Sequence, residues 1–443
     1  MALMKKLILT TVFGTLMMAF AFNAVAQQIQ YWRAYDQRGL NVFEPAKVDT
    51  VGFDGLKVRI GGNFAQQFQA LDHSNEADEV LFPGTDINRN ELYGLGNGFN
   101  LATANLFIDA QLADGIRVAV ESYMSSRHHS EFWVKGGYIQ VDKLPMFGNP
   151  QWFTDKVRVK IGHFQPNYGD QQFRRTDNGN AMYNAFVGNY IMDAFTTEIG
   201  GEAYLFPTPN IMLMAGMTSG LIAGDVTDGT KKPSIYAKAA FDKAFTNGRF
   251  RLAGSVYTNP ESGRNTLYAG DRSGSRFYMV MEPAYSIPRG SSTPSRSSAG
   301  SNFTSGRWNP DFSRRVLAFQ INPFVKFGGL EFFGTWERSS GYNSRENENN
   351  RTVTQLAGEV MYRFLPNEQM YVGGRYNSLS GELSQGVDDA SITRFELAAG
   401  WYPIKHLLLK LEYVNQQYKD FGSTSLYHQG EFKGMILEAV VGF

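Results

Sequence analysis

Basic residues occur at every second position in several short segments of this chain, and that spacing could bind anions. Arg249 and Arg251 alternate with Phe250 and Leu252, and the same pattern recurs elsewhere. Ammonium and guanidinium groups supply hydrogen-bond donors that replace the water around a passing anion. These basic side chains could therefore bind anions along a polar surface. The basic residues in such positions are Lys156, Arg158, Lys160, Arg249, Arg251, Arg363, Arg375 and Arg394.

Acidic residues occupy comparable positions, so the predicted polar surface carries both signs of charge. Glu121, Glu359 and Glu396 are the acidic candidates beside the basic set. A long connection at 165–195 adds a second mixed cluster. Its charged residues are Asp170, Arg174, Arg175 and Asp177. Mixed charges of this kind more often brace a polar interior through paired hydrogen bonds than select one ion.

Residues for covalent or metal chemistry do not form a recognisable pattern. The chain has 6 His and 0 Cys, which excludes a thiolate metal site and a disulfide framework. His128 and His129 precede Ser130 and Glu131, but adjacent side chains at a strand end point in opposite directions. We therefore predict no catalytic residue, no metal site, no cofactor and no enzymatic activity.

β-Strands can position the charged residues, because a strand turns successive side chains to opposite faces. In Ile392–Tyr402, one face carries Phe395 and Leu397 while the other carries Arg394 and Glu396. Strands are predicted near Leu56–Leu71, Asn100–Ala113, Ile116–Met124, Phe132–Lys143, Lys156–Phe164, Thr196–Phe206, Ile211–Gly220, Ser234–Asp242, Arg249–Thr258, Arg314–Lys326, Leu330–Arg338, Thr352–Phe364, Met370–Ser380, Ile392–Tyr402, His406–Tyr418 and Lys433–Phe443.

This pattern predicts an all-β fold, a transmembrane antiparallel β-barrel of about 16 strands, with 18 as the alternative count. A charge facing lipid at mid-bilayer would cost about 2–4 kcal/mol, so the charged face must be the lumen. Short turns such as 113–115 alternate with long polar connections, as periplasmic turns and extracellular loops do. The composition agrees, because 14% aromatic residues accompany a mean hydropathy of -0.30. A soluble secreted β-sandwich also alternates and is the rival fold.

The ends of the chain indicate export and insertion into the bacterial outer membrane. Residues 1–26 are predicted to be a signal peptide, with two lysines, an apolar run and small residues at its end. Residues 27–54 are predicted to form a short periplasmic or lumenal arm, and 55–443 the barrel. The final strand ends in an aromatic residue, Phe443, as outer-membrane barrels do. A net charge of +0 argues against nucleic-acid binding.

The segment Arg276–Ser286 alternates like a strand, but the parity of the barrel argues against counting it. A strand there would place the long stretch 288–312 on the side where the other turns are short. We therefore assign 259–313 to one large extracellular loop with an internal extended segment. An even strand number with both termini in the periplasm follows.

Several motifs resemble the phosphate-selective porin O/P family. They are LFIDAQL at 106–112, GIRVAVES at 115–122, VKGGYIQV at 134–141, VKIGHFQPNYGDQQF at 159–173 and AGWYPIKHLLLKLEY at 399–413. The resemblance extends in order over most of the chain after the signal peptide. It implies a trimeric porin of 16 strands whose third extracellular loop, here 165–195, folds into the channel. In that family a run of lumen arginines selects phosphate. In this chain acidic residues accompany the arginines, so the resemblance does not decide whether the channel selects phosphate.

We therefore expect an outer-membrane porin for passive diffusion of small hydrophilic solutes. Phosphate-like anions are one class of solute that it could carry. Its expected partners are outer-membrane lipid, the solutes and two further copies in a homotrimer, with no nucleic acid. A barrel with a closed lumen, serving as a structural or binding subunit of a surface complex, is the first alternative. An outer-membrane hydrolase that uses a loop histidine is the second.

Overall fold

The computed structural model of the chain describes residues 28–127, 132–223, 226, 231–270, 276–298, 304–346, 349–388 and 390–443. Sixteen long antiparallel strands, β1 to β16, dominate the described part of the chain. They are, in order, Lys57–Ser74, Thr103–Ala113, Ile116–Ser125, Trp133–Val141, Val157–Phe164, Glu198–Thr208, Ile211–Thr218, Ser234–Phe245, Gly248–Asn259, Arg315–Phe327, Leu330–Tyr342, Arg351–Phe364, Met370–Gly381, Ser391–Ile404, Leu407–Lys419 and Glu431–Gly442.

The strands form a closed barrel, because the first pairs with the last. β1 and β16 are antiparallel, in a register that runs from Asn63 opposite Gly442 to Ser74 opposite Glu431. Gly62 and Phe443 extend this ladder by exchanging backbone hydrogen bonds of 3.1 and 3.0 Å. A short strand, Gly98–Phe99, adds to the sheet beside β1. The prediction of an all-β antiparallel barrel of about 16 strands is confirmed.

Most strands present an apolar face to the outside and a polar face to the lumen; β7 differs, because Met212 and Met214 are on its buried face. On β14, Leu397 and Trp401 are each 48% exposed, whereas Glu396 beside them is 0% exposed. Because a strand alternates its side chains, one register sets both faces along its whole length. The outer surface of the barrel is therefore apolar where it meets lipid, and the charged side chains of these strands lie inside.

Tight turns join the strands at the end of the barrel where the chain termini lie. The β2–β3 and β10–β11 turns use Gly115 and Gly328 at positive φ, of 74° and 55°. The β4–β5 connection is longer and contains the only α-helix of the described residues, α1 (Gln151–Lys156). Short 3₁₀ helices lie at Gln37–Gly39, Pro145–Phe147, Gln171–Phe173 and Pro366–Glu368. No helix in the described ranges is both long and apolar enough to cross a bilayer.

The segment Arg276–Ser286 does not form a barrel strand. Only Tyr285–Ser286 is extended, and it pairs with Ser295–Arg296 in a two-stranded sheet apart from the barrel. Phe277 and Val280 of the same segment are fully buried. The alternation that suggested a strand therefore reflects side chains that pack inside the protein, not a lipid-facing surface.

Three segments enter the lumen, and we name them by their residues. The arm is 28–56, the inner loop is 165–197 between β5 and β6, and the outer loop comprises the described residues of 260–314, namely 260–270, 276–298 and 304–314, between β9 and β10. The inner loop is buried almost throughout, with Phe186, Ile191 and Met192 each at 0% exposure. The middle of the barrel is consequently filled by protein.

Candidate functional site

The lumen wall binds the backbone of the inner loop through charged side chains. Lys410 of β15 donates to three carbonyl oxygens, those of Ala181, Asn184 and Phe186, at 3.0 to 3.1 Å. Its ammonium also lies 2.6 Å from the carboxylate of Glu438 on β16. Since an ammonium has three donors, this lysine is saturated by the loop and its acidic partner.

Neighbouring strands extend this backbone binding along the loop. Glu412 accepts from the amide of Val187 at 2.5 Å, and Arg375 donates to the carbonyl of Gly188 at 2.7 Å. Asn377 accepts from the Ile191 amide at 2.7 Å. Arg394 donates to the carbonyl of Asn189, and Gln355 binds both backbone groups of Met192. Four successive strands, β12 to β15, thus hold one stretch of the inner loop.

Carboxylates neutralise the arginines of this region. Arg375 binds Glu396 through two hydrogen bonds of 2.5 and 2.6 Å, and Arg363 binds Glu331 at 2.9 Å. Arg174 of the inner loop reaches Glu359 at 3.1 Å. All six side chains are buried. Charge-assisted pairs of this kind fix loop and wall together and leave the guanidinium groups occupied.

The arm is held by a second charged cluster on β8 and β9. Glu44 lies between Arg251 at 2.6 Å and Lys238 at 2.8 Å. Asp170 of the inner loop contacts the same two cations, at 2.7 Å each. Burial alone would raise the pKa of Glu44, but Arg251 and Lys238 outweigh it and hold that pKa well below its usual range. Arm, loop and wall therefore meet in one ionic cluster.

Open space remains beside the opposite wall, formed by β2 to β6. A lower cavity of about 260 Å³ lies near the periplasmic end and is bounded by Arg117, Tyr138 and the arm. An upper cavity of about 310 Å³ lies towards the extracellular end, beside Tyr123 and Trp133. The two cavities share three lining residues, Lys135, Asp177 and Thr197. They therefore adjoin along one side of the lumen.

The lower cavity carries more positive than negative side chains. Lys160 lies 3.6 Å from Glu202, with its ammonium 4.0 Å from the centre of the Phe164 ring. Arg158 bonds to Asp142 at 2.8 Å and to the arm carbonyl of Pro45. The charged residues lining the cavity are the basic Arg33, Arg117, Lys135, Arg158, Lys160 and Arg175 and the acidic Glu44, Glu121 and Asp177.

The predicted charged residues thus fall into separate groups. The inner-loop group contains Arg174, Arg363, Arg375, Arg394, Glu359 and Glu396. The arm group contains Arg249, Arg251 and Asp170, and the cavity group contains Arg158, Lys160, Arg175, Glu121 and Asp177. Arg175 also forms a bidentate pair with Asp193 inside the inner loop, at 2.6 to 3.2 Å.

Lys156 is a correction to the predicted lumen set. It ends helix α1, one residue before β5 begins, and is exposed. The alternation was extended one position too far, because helix α1 replaces the start of the predicted strand. Lys156 therefore does not line the lumen.

The predicted set omitted several basic residues of the lumen wall. Arg117, Lys135 and Lys238 are three of them, whereas alternation in His406–Tyr418 already places Lys410 on the polar face. Arg117 and Lys238 alternate with outward apolar neighbours, so the same period-two rule could have found them. Lys135 could not have been found in this way, because the β3–β4 register shifts beside it, between Glu121 and Ser122. Their partners could not have been found in this way, since those partners come from distant segments.

Three of the four described histidines bind backbone carbonyls at the barrel ends, and the fourth, His163 on β5, lines the lower cavity. His73 contacts the carbonyl of Tyr93 at 2.7 Å, His406 that of Gly442 at 2.9 Å and His428 that of Phe421 at 2.7 Å. The His128, His129, Ser130 and Glu131 group lies outside the described residues.

Comparison with known proteins identifies the fold. No protein-family model matches the chain, and no curated protein matches its sequence. An anion-selective porin from Comamonas acidovorans aligns with a TM-score of 0.51 and 10% identity, over 88% of this chain and 100% of that one. The outer membrane channel DcaP of Acinetobacter baumannii aligns with a TM-score of 0.49 and 11% identity, over 88% and 99%.

The likeness to the Comamonas porin concerns the fold, and membership of the O/P family stays a prediction. The closed barrel and its apolar outer band indicate that the protein spans a membrane. In lipid, only a closed sheet leaves no backbone hydrogen-bonding group of its strands without a partner. The protein is a β-barrel of the bacterial outer membrane with the fold of the porins.

Proposed function

We propose that this protein is a narrow outer-membrane channel for passive diffusion of small hydrophilic anions. The observation that carries the proposal is the pair of adjoining cavities along β2 to β6, which share Lys135, Asp177 and Thr197. In the middle of the barrel, the described residues of the arm, the inner loop and the outer loop pack against the wall. A further cavity of about 690 Å³, beside Arg249, Lys326 and Tyr402, is at the end of the barrel where the arm enters. A solute would therefore cross beside the wall and not along the barrel axis.

The accessible charge of the lower cavity supports an anion preference. Six basic and three acidic side chains line it, but Arg117, Arg158 and Arg175 are paired with Asp109, Asp142 and Asp193. Lys160 is more accessible, with 15% of its side chain exposed and Glu202 3.6 Å away. An accessible cation in a confined space raises the local concentration of anions. The proposal covers small anions as a class, because the arginines suggested for phosphate selection, such as Arg375 and Arg394, are paired within the inner-loop group.

The test is the reversal potential of the purified protein in a planar bilayer with a salt gradient. Wild-type protein should give small ohmic steps with anion preference, and added phosphate should reduce the chloride current. Lys160→Gln removes a charge from the lower cavity, so it should lower the anion preference. Lys156→Gln is the matched control, since it removes the same charge from an exposed position outside the lumen.

Cation preference, or equal effects of the two lysine variants, would contradict the proposal. Folding is checked by the heat-dependent shift in gel mobility that closed barrels show. Folded barrels that carry no current, both as wild type and as Asp177→Asn, would favour the second candidate function, a closed structural or binding subunit.

The second candidate function rests on the hydrogen bonds by which strands β12 to β15 hold the inner loop. Residues Val187 to Met192 are bound by wall side chains on consecutive strands, with several contacts below 3 Å. A closed subunit requires a plug of this rigidity. Conductance separates the two functions.

We further propose a homotrimer, and the support is the sequence resemblance to the O/P porin family. Light scattering of the detergent-solubilised protein, corrected for bound detergent, measures the mass directly. Three copies of the chain without its first 26 residues are expected, and a monomeric mass would contradict the proposal.

A further inference from the structure

We infer that Lys135 is the gate of this channel, and this inference rests on the proposed function. In the closed state its ammonium bridges Asp177 of the inner loop and Glu121 of the wall, and loss of the Asp177 contact, with the ammonium kept by Glu121, opens the passage between the cavities. The movement is a rotation of one lysine side chain and requires no displacement of the loop backbone.

The position of the pair suits a gate. Lys135 projects from β4 and Asp177 from the inner loop, and both line the lower and the upper cavity. The two side chains are in direct contact. They therefore join wall to loop at the place where the two cavities meet.

Each charge of the pair has a second partner already within reach. The Lys135 ammonium lies 3.2 Å from the carboxylate of Glu121. The Asp177 carboxylate lies 3.8 Å from the guanidinium of Arg175. Separating a buried ion pair is costly when it leaves a charge uncompensated. Here each charge keeps its second partner after the separation, a partner exchange that leaves neither ion uncompensated.

The two carboxylates are fixed, and the lysine between them is the movable part. Asp177 lies in a tight turn in which its backbone exchanges two hydrogen bonds with Asn180, at 3.0 and 2.9 Å. Glu121 is held on β3 by the side-chain amide of Asn105 at 2.7 Å. A lysine reaches either through its flexible four-carbon stem.

An entering anion would favour the open state. It competes with Asp177 for the ammonium group, and Glu121 can hold that group once the contact is broken. The open fraction should therefore rise with anion concentration on the side of the upper cavity.

Single-channel recording of charge variants tests the gate. Asp177→Asn weakens the closed state and should raise the open fraction roughly tenfold, which corresponds to about 1.4 kcal/mol. Glu121→Gln weakens the open state and should lower the open fraction by a similar factor. Asp155→Asn is the control, because that aspartate is exposed in helix α1 and outside both cavities.

The absence of cysteine from the chain allows a second test during recording. In Asp177→Cys, a thiol reagent that adds a sulfonate restores negative charge and should close the channel. A reagent of similar size that adds an ammonium should leave it open. Equal effects of the two reagents would show that bulk, not charge, controls the current, and would overturn the gate.

The outcomes separate the gate from the proposed function. Current from wild type that neither variant alters overturns the gate and leaves the channel function intact. Current from Asp177→Asn but not from wild type supports the gate, with the resting state closed. A rise in open fraction for Glu121→Gln overturns the partner exchange. Folded barrels without current in every variant overturn both proposals.

Discussion

Arg375 and Glu396 face each other on the neighbouring strands β13 and β14 and form a bidentate ion pair of 2.5 and 2.6 Å. Both side chains are almost completely buried. The same guanidinium donates to the carbonyl of Gly188 in the inner loop at 2.7 Å. One arginine therefore links two strands of the wall to the segment that fills the lumen.

Arg375→Met should destabilise the barrel by about 3–5 kcal/mol, because it leaves the Glu396 carboxylate buried beside an apolar side chain. Chemical unfolding in lipid vesicles, followed by tryptophan fluorescence, measures the change. The double variant Arg375→Met/Glu396→Leu removes both charges and should recover most of the loss. A single variant as stable as wild type would show that the pair does not hold the fold.

Lys410→Met should loosen the inner loop without opening the barrel. The substitution removes the donor shared by the carbonyls of Ala181, Asn184 and Phe186. Hydrogen exchange by mass spectrometry should show faster exchange in peptides that cover 181–192. Lys433→Met is the control, since Lys433 is exposed and pairs with Glu431 at 2.7 Å. Unchanged exchange in Lys410→Met would contradict this role.

Gly179→Ala should displace the inner loop from the wall, because a methyl group there would meet backbone. It would lie 2.6 Å from Cα of Ala104, 2.8 Å from the carbonyl of Thr103 and 2.9 Å from that of Asn63. Overpacking of this kind costs about 1–3 kcal/mol. Gly254→Ala on β9 is the control, since no atom lies within 4 Å of its added methyl group.

The arm should remain docked in moderately acidic solution. The pKa of Glu44 is lowered by Arg251 and Lys238, so its stabilising effect is complete above the unfolded value of about 4.3. That effect is lost only as the pH falls through the lower, folded value. Protease cleavage within 28–56 should thus stay slow at pH 5 and increase only in stronger acid.

Glu44→Gln is the comparison for the acid experiment. It should make the arm more accessible at neutral pH, since Arg251 and Lys238 lose one of their carboxylates. Its cleavage should also depend less on pH than that of wild type, because the titrating carboxylate is replaced by a neutral amide. Release of the wild-type arm at pH 5 would contradict the assigned direction of the pKa shift.

Much of the barrel could be predicted from alternation, because lipid and lumen impose opposite demands on successive side chains. The strand limits agree within a few residues at most positions, as in β15, predicted as His406–Tyr418 and found at Leu407–Lys419. Lys156 was misplaced because a single helical turn carries no strong periodic signal. The lumen position of Arg375 followed from the same rule, but its pairing with Glu396 did not.

The amino-acid sequence by itself determined which side chains face lipid and which face the lumen wherever the strands are regular, since the local period sets that choice there. The tertiary structure decided what fills the lumen. The arm, the inner loop and the outer loop meet the wall through contacts between residues far apart in the chain, such as Arg276 with Glu438 at 2.5 Å. Periodicity contains no information about such pairs, so only the folded chain distinguishes an arginine that is open to solutes from one that anchors a loop.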